Sequence, residues 1–234
     1  MDTTPLTSMI SKKNVENQAK MYILCSPHNP VGRVWKEEEL KKLMDICQRH
    51  GVMVTADEIH QDIVFGENVH HPAPGIAGGK YKDNIILMTS TSKTFNLAGL
   101  KNSYAVIPSE EKRKIFDDFN VYPHVDTGCT LSYIASAAAY RHGSGWLKDL
   151  LNVIHENYQY MCDTFAAELP DVRVTPLEGT YLSWIDLRAY VKPEDTQKVV
   201  QKKARVAVDY GNWFSEKSAG FIRMNLGTSR EIVA

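Results

Sequence analysis

Thr89-Ser90-Thr91-Ser92-Lys93-Thr94-Phe95-Asn96-Leu97-Ala98-Gly99-Leu100 is the stretch from which the chain is best read. Just before it, Asn84-Ile85-Ile86-Leu87-Met88 is a short apolar run with the length and character of a buried strand. The run stops in small hydroxylated residues, and a single lysine follows them. That lysine sits at the carboxyl end of a strand, where open α/β sheets place their ligands. Ser90, Thr91 and Ser92 are hydroxyl donors suited to a phosphate. Taken alone, the stretch reads first as a polar loop with a solvated lysine, because short motifs often match by chance.

The same arrangement occurs twice more. Met21-Tyr22-Ile23-Leu24-Cys25 is an apolar run that ends in Ser26-Pro27-His28-Asn29-Pro30-Val31-Gly32-Arg33, and Val52-Met53-Val54-Thr55-Ala56 ends in Asp57-Glu58-Ile59-His60. In a parallel sheet the three strand ends share one rim, which predicts that Asn29, Asp57 and Lys93 meet at its carboxyl edge. An amide, a carboxylate and an amine together suit an aromatic nitrogen cofactor held as an imine. The carboxylate pairs with a ring nitrogen, the amide with a ring oxygen, and the amine forms the Schiff base. That is the chemistry of pyridoxal phosphate. A lone aspartate at a strand end is also a common helix N-cap.

Around these strands the pattern alternates. Lys36 to His50 is an amphipathic helix with Leu40, Leu43, Met44 and Cys47 on one face, and Glu37, Glu38 and Glu39 suit its dipole. Gly51 ends it, and strand–helix–strand order favours a right-handed parallel crossover. Phe65 to Tyr81 reads as a loop rich in Gly, Pro and His. Its adjacent His70 and His71, read without a carboxylate or cysteine partner, are taken as polar loop residues, not metal ligands. Ser103 to Ile107 is a further strand, Ser109 to Phe119 a charged helix, and Leu131 to Tyr140 an alanine-rich helix expected to be packed. Gly143-Ser144-Gly145 reads as a hinge. Beyond it, Trp146 to Leu169 is one long helix stopped by Pro170. Val172–Thr175, Tyr181–Leu187 and Phe221–Leu226 are strands, and Glu194–Ala204 is a helix. The residues up to Lys20 are polar and aperiodic. An α/β half followed by α+β character predicts a domain change near residue 143.

Bulk properties narrow the function classes. The 234 residues are 43% hydrophobic and 24% charged, which is ordinary for a globular protein able to bury a core. A net charge of −1 gives no electrostatic case for nucleic acid or an anionic membrane. Cys25, Cys47, Cys129 and Cys162 are widely spaced and read as reduced thiols, with neither a disulfide frame nor a zinc or other metal site expected. No signal-peptide pattern or bilayer-length apolar run stands out, so a cytoplasmic protein is expected.

The motifs Ser26-Pro27-His28-Asn29-Pro30-Val31-Gly32-Arg33, Asp57-Glu58-Ile59-His60 and Ser92-Lys93-Thr94-Phe95-Asn96-Leu97-Ala98-Gly99-Leu100 resemble the pyridoxal-phosphate enzymes of fold type I. Within that fold they are closest to the class I/II aminotransferase group, in its cystathionine β-lyase-like branch of carbon–sulfur lyases. The resemblance continues in Ala138-Ala139-Tyr140-Arg141-His142-Gly143, Glu178-Gly179-Thr180-Tyr181-Leu182-Ser183-Trp184 and Gly220-Phe221-Ile222-Arg223-Met224-Asn225. It implies an α/β fold: a partial parallel-sheet cofactor-binding large domain over 1–143, then a smaller, incomplete α+β C-terminal domain over 144–234. It also implies a homodimer acting on a small amino-acid substrate.

The roles implied by the resemblance fall residue by residue. Lys93 would form the Schiff base and move the α-proton, and Asp57 would pair with the ring nitrogen. Asn29 would bind the ring oxygen, and His60 would assist from a slot where many relatives carry tyrosine. Ser90 and Ser92 would donate to the phosphate. Lys101 stands where relatives often carry an arginine, offering a point charge without the bidentate fork. Arg223, isolated among apolar neighbours, would bind the substrate α-carboxylate, against the alternative of a surface arginine on an edge strand. Tyr181 and Trp184 read as core aromatics. Such relatives begin with a longer amino-terminal portion and continue past Ala234, so the resemblance implies a fragment or a shortened form. The expected reaction is β-elimination of a thiol from cystathionine or a cysteine-type substrate. Transamination by the same residues, and a non-catalytic remnant of the fold, are the alternatives.

Overall fold

The computed structural model describes residues 19–122 and 129–234. The aperiodic amino-terminal stretch noted above lies almost wholly outside the described residues. Two compact units divide the chain. The described residues up to Pro27, with those of Val34–Asp62 and Val69–Gly145, form the first; His28–Arg33, Ile63–Asn68 and Trp146–Ala234 form the second. The chain therefore leaves the first unit and returns to it twice before its final crossing.

The first unit is built on a four-stranded sheet in the order β1 (Met21–Cys25), β2 (Met53–Asp57), β3 (Ile85–Thr89) and β4 (Tyr104–Val106). β1, β2 and β3 are parallel, with Cys25 opposite Asp57 and Asp57 opposite Met88, and β4 is antiparallel to β3. Helix α1 (Glu37–Arg49) makes the crossover between β1 and β2. Its start is fixed by the Glu39 carboxylate, which accepts from Lys36 N at 3.0 Å. Leu40, Leu43, Met44 and Cys47 are spaced to fall on one face, and all four are buried against Leu24, Val54, Ala56 and Ile85 of the sheet.

Between β2 and β3 the expected loop is partly ordered as 3₁₀ turns over Ala73–Gly79 and Lys82–Asn84. After β3 come a single helical turn, α2 (Thr91–Thr94), then β4, α3 (Glu110–Val121) and α4 (Thr130–His142). Helix α4 corrects the expectation of a packed helix. Ser132 is its one fully buried residue, while Leu131 and Ile134 are 69% and 61% exposed. Its alanines are distributed around the axis, so the sequence pattern specifies no single inward face. The hinge at Gly143 also acquires a different reading. A β-carbon there would stand 2.5 Å from the Phe95 ring and from Ala139 O, so the glycine permits a close approach.

The second unit holds an antiparallel sheet in the order β5 (Arg173–Val174), β6 (Leu182–Asp186), β8 (Phe221–Asn225) and β7 (Asp209–Tyr210). The long helix α5 (Ser144–Glu168) packs Ile154 and Met161 with Ile185, Ile222, Val200 and Leu226. The helix expected over Glu194–Ala204 is instead a 3₁₀ turn at Pro193–Asp195 followed by a π-helical stretch, Lys198–Lys203. Ala204 N donates to Val199 O at 2.9 Å, closing a wider ring than an α-helix uses, and Val200 is buried within it. A last turn, α6, spans Arg230–Val233.

Candidate functional site

In the first unit the site is assembled at the carboxyl ends of β2 and β3. Ser90, extended and buried, caps the one-turn helix that carries Lys93. Its hydroxyl accepts from Ser92 N at 3.0 Å and donates to Asn102 O at 2.5 Å, and the Ser92 hydroxyl lies against it. Thr91 Oγ1 meets Ser136 Oγ of α4 at 3.0 Å, and the fully buried Thr94 donates to Asp62 Oδ2 at 2.7 Å. Phe95 stacks edge-on against Tyr140 at 5.5 Å between ring centres. The turn is therefore held on three sides, and half-buried Lys93 has a fixed origin. Of the hydroxyls expected for a phosphate, Ser90 donates to Asn102 O, and the contact between the two hydroxyls is then donated by Ser92 to Ser90 Oγ.

Asp57 is the last residue of β2 and is half-buried. Its Oδ1 accepts from Ile59 N at 3.3 Å, the local turn that a strand-end aspartate commonly makes. The second carboxylate oxygen has no hydrogen-bond partner among the described residues. His60 is 2% exposed. Lys101 is exposed and takes a left-handed backbone conformation, φ 51°, after the turn Ala98–Leu100.

Glu58 is a residue that sequence reasoning missed. Fully buried, it accepts from His70 Nε2 at 2.7 Å and from Ala73 N at 2.8 Å. Its backbone N–H donates to Met88 O and its carbonyl accepts from Thr89 Oγ1. His70, expected to be a polar loop residue without a carboxylate, thus has one. The signal available was the pair of consecutive carboxylates at a strand end, which alternation sends to opposite sides of the sheet. Among the described residues no cluster of three or more metal-ligating side chains occurs.

Asn29 and Arg223 belong to the second unit. Arg223 stands in the middle of β8, opposite Trp184 of β6 and Asp209 of β7, so it is interior to the sheet and the edge-strand alternative does not hold. Its guanidinium donates to Asp209 Oδ2 through Nε at 3.0 Å and through Nη2 at 2.5 Å, and to Asn29 Oδ1 through Nη1 at 2.6 Å. It also lies 4.9 Å from the Phe214 ring centre. The fold thus brings Asn29 onto Arg223 across most of the chain's length. The turn that carries Asn29 closes through His28 N to Arg33 O, at 2.7 Å. Burial first, and the Arg33 charge second, hold the His28 imidazole below the usual histidine range. Trp184 is buried and stacks on Phe221, as expected of a core aromatic.

An amine on a clamped turn, a neighbouring strand-end carboxylate with one oxygen unspent, and two adjoining serine hydroxyls form a donor set that fits pyridoxal phosphate. Comparison with known proteins points the same way. The family model described as aminotransferase class I and II matches residues 1–233. Protein MalY of Escherichia coli (strain K12) is 35% identical over 215 residues, covering 91% of this chain and 54% of that protein. Cystathionine beta-lyase PatB of Bacillus subtilis (strain 168) is 34% identical over 210 residues, covering 89% of this chain and 54% of PatB. The PLP-bound C-S lyase from Staphylococcus hominis, in the external aldimine form complexed with L-cycloserine, aligns with a TM-score of 0.89 at 36% identity. That alignment covers 97% of this chain and 55% of the lyase. The chain therefore spans about half the length of the curated relatives it matches.

Proposed function

The chain belongs to the class I and II aminotransferase family, and from that premise we propose that it carries a pyridoxal-phosphate-dependent carbon–sulfur β-lyase site for cysteine-type substrates such as cystathionine. The observation that carries the proposal is the clamped lysine turn at the end of β3 beside the strand-end carboxylate Asp57, in a chain 34% identical to a cystathionine β-lyase. Bound pyridoxal phosphate supplies an electron sink for negative charge at the substrate α-carbon.

The chain's own residues do the rest. Lys93 Nζ would hold the cofactor until the substrate amine displaces it, and as a free amine would take the α-proton and pass it, as an acid, to the departing thiolate. Asp57 presents its unspent oxygen to a protonated ring nitrogen, and Asn29, with His60 assisting, is assigned to the ring oxygen. Ser90, Ser92 and Lys101 are assigned to the phosphate, and Ser90 also caps the turn. Arg223 orients the α-carboxylate. With the α-proton on Lys93, the β-carbon–sulfur bond breaks, the thiolate leaves, and hydrolysis of the remaining three-carbon fragment gives pyruvate and ammonia. The working unit in this proposal is a homodimer.

Incubation with pyridoxal phosphate, borohydride reduction and peptide mass spectrometry test the site directly. A pyridoxyl group on Lys93, absent from Lys93→Ala, is the expected result, and no specific adduct would leave this chain as a remnant of its fold. Pyruvate formed from cystathionine without a keto-acid acceptor supports the lyase. Strict dependence on an acceptor would reassign the site to transamination.

A further inference from the structure

Arginine offers five guanidinium N–H donors in a fixed plane. In the second unit, Nε and Nη2 of Arg223 spend one each on Asp209 Oδ2, and Nη1 spends one on Asn29 Oδ1. Two donors are left, one on each Nη nitrogen. The side-on edge of the fork, between Nε and Nη2, is therefore closed by a carboxylate the protein itself supplies. Phe214 covers one face of the guanidinium plane. The Asp209 side chain is 39% exposed and that of Arg223 is 18% exposed, so solvent screens the pair without dissolving it.

We propose that Asp209 is a specificity-determining counter-ion for Arg223. It cancels the guanidinium charge and restricts carboxylate ligands to the two remaining Nη donors. The proposal rests on the reading of Arg223 as the carboxylate-binding residue and adds what tunes it. A lone buried arginine attracts any anion; one already paired has no net charge to offer. Its remaining donors then reward a ligand whose two oxygens match the fork. Asp209 thus trades carboxylate affinity for selectivity. Asn29 fixes the third direction, so the plane of the fork cannot swing to follow a badly placed ligand.

The test uses the full chain with propionate as the carboxylate probe and propionamide as its uncharged counterpart. Binding is followed through the backbone amide resonances of β7 and β8 in ¹⁵N-labelled protein, a readout independent of turnover and present in every variant. Asp209→Asn keeps an acceptor oxygen and removes the charge. It is expected to bind propionate about threefold to tenfold more tightly, the scale of one charge at a partly screened site, with propionamide unchanged. Propionate binding that is unchanged or weaker in Asp209→Asn overturns the proposal. Should that variant not fold, Asp209→Ser decides it on the same criterion. Arg223→Gln separates the two levels. Loss of propionate binding there, with no tightening in Asp209→Asn, removes the counter-ion role alone. Propionate binding untouched in Arg223→Gln removes the carboxylate reading, and the counter-ion role with it.

Discussion

Glu58 and His70 sit twelve residues apart and meet at 2.7 Å around a carboxylate with no solvent exposure. A buried carboxylate that loses a donor retains its desolvation penalty, so the pair matters more when broken than its net worth while intact. His70→Ala is expected to lower the free energy of unfolding by about 1–3 kcal/mol, read from urea denaturation. His70→Gln, which can still donate, should lose less. Equal losses in the two variants would mean that the hydrogen bond is not what holds the loop. The contrast with Lys93 shows what a sequence can disclose about a site. Lys93, Asp57 and Asn29 were legible as candidates because each lies at, or within a few residues of, the end of an apolar strand, and the end of a strand is a place with chemical meaning. Glu58 and Asp209 were not. Their partners, His70 and Arg223, are set by how a loop and a sheet fold back, and neither spacing has a period to recognise. Even Asn29 was only half legible: its ring-oxygen role could be expected, its bond to Arg223 could not.

At the scale of elements, β1, β2, β3 and α1 were readable to within a residue or two, because period 2 and period 3.6 differ sharply over such stretches. The failures have physical causes as definite as the successes. Lys198–Lys203 widens to a π-helical turn around buried Val200, and α4 spreads its apolar residues around the whole axis. The turn His28–Arg33 shows a tertiary constraint acting through one glycine. Gly32 sits at φ 78°, and a β-carbon there would approach the Leu177 side chain to 3.2 Å. That turn also carries a pH dependence. His28 titrates lower when folded than when unfolded, so the unfolded state binds more protons between the two pKa values and stability rises with pH across that window. The contribution is present above the unfolded histidine value, roughly 6.5, and is lost as pH falls from there toward the folded value. Thermal melts taken from about pH 7.5 to about pH 5.5 should show wild type losing more stability than His28→Asn. Parallel losses in the two proteins would show that other groups carry the acid sensitivity.

For the molecule as a whole, the β1–β3 sheet is lopsided. Leu24 and Val54 are buried on the side covered by α1, whereas Met21, Ile23 and Met88, facing the other way, are 57%, 65% and 42% exposed. β1 is also an edge strand among the described residues, so apolar side chains and unpaired backbone groups occur on the same strand. No helix among the described residues is long and apolar enough to cross a membrane. An apolar edge of this kind recruits other apolar surface, including its own kind in a second molecule, more readily than a charged one. Ile23→Lys places a charge where more than half of the side chain already meets water. Its effect on the free energy of unfolding should be small, within about 0.5 kcal/mol, while heat-induced turbidity and dye binding to exposed apolar surface should both fall. Leu24→Lys, one residue along and on the covered side, should instead unfold the chain, because alternation along a strand turns a shift of one position into a change of face. If Ile23→Lys melted as early as Leu24→Lys, the outer face of β1 would be packed against something in solution.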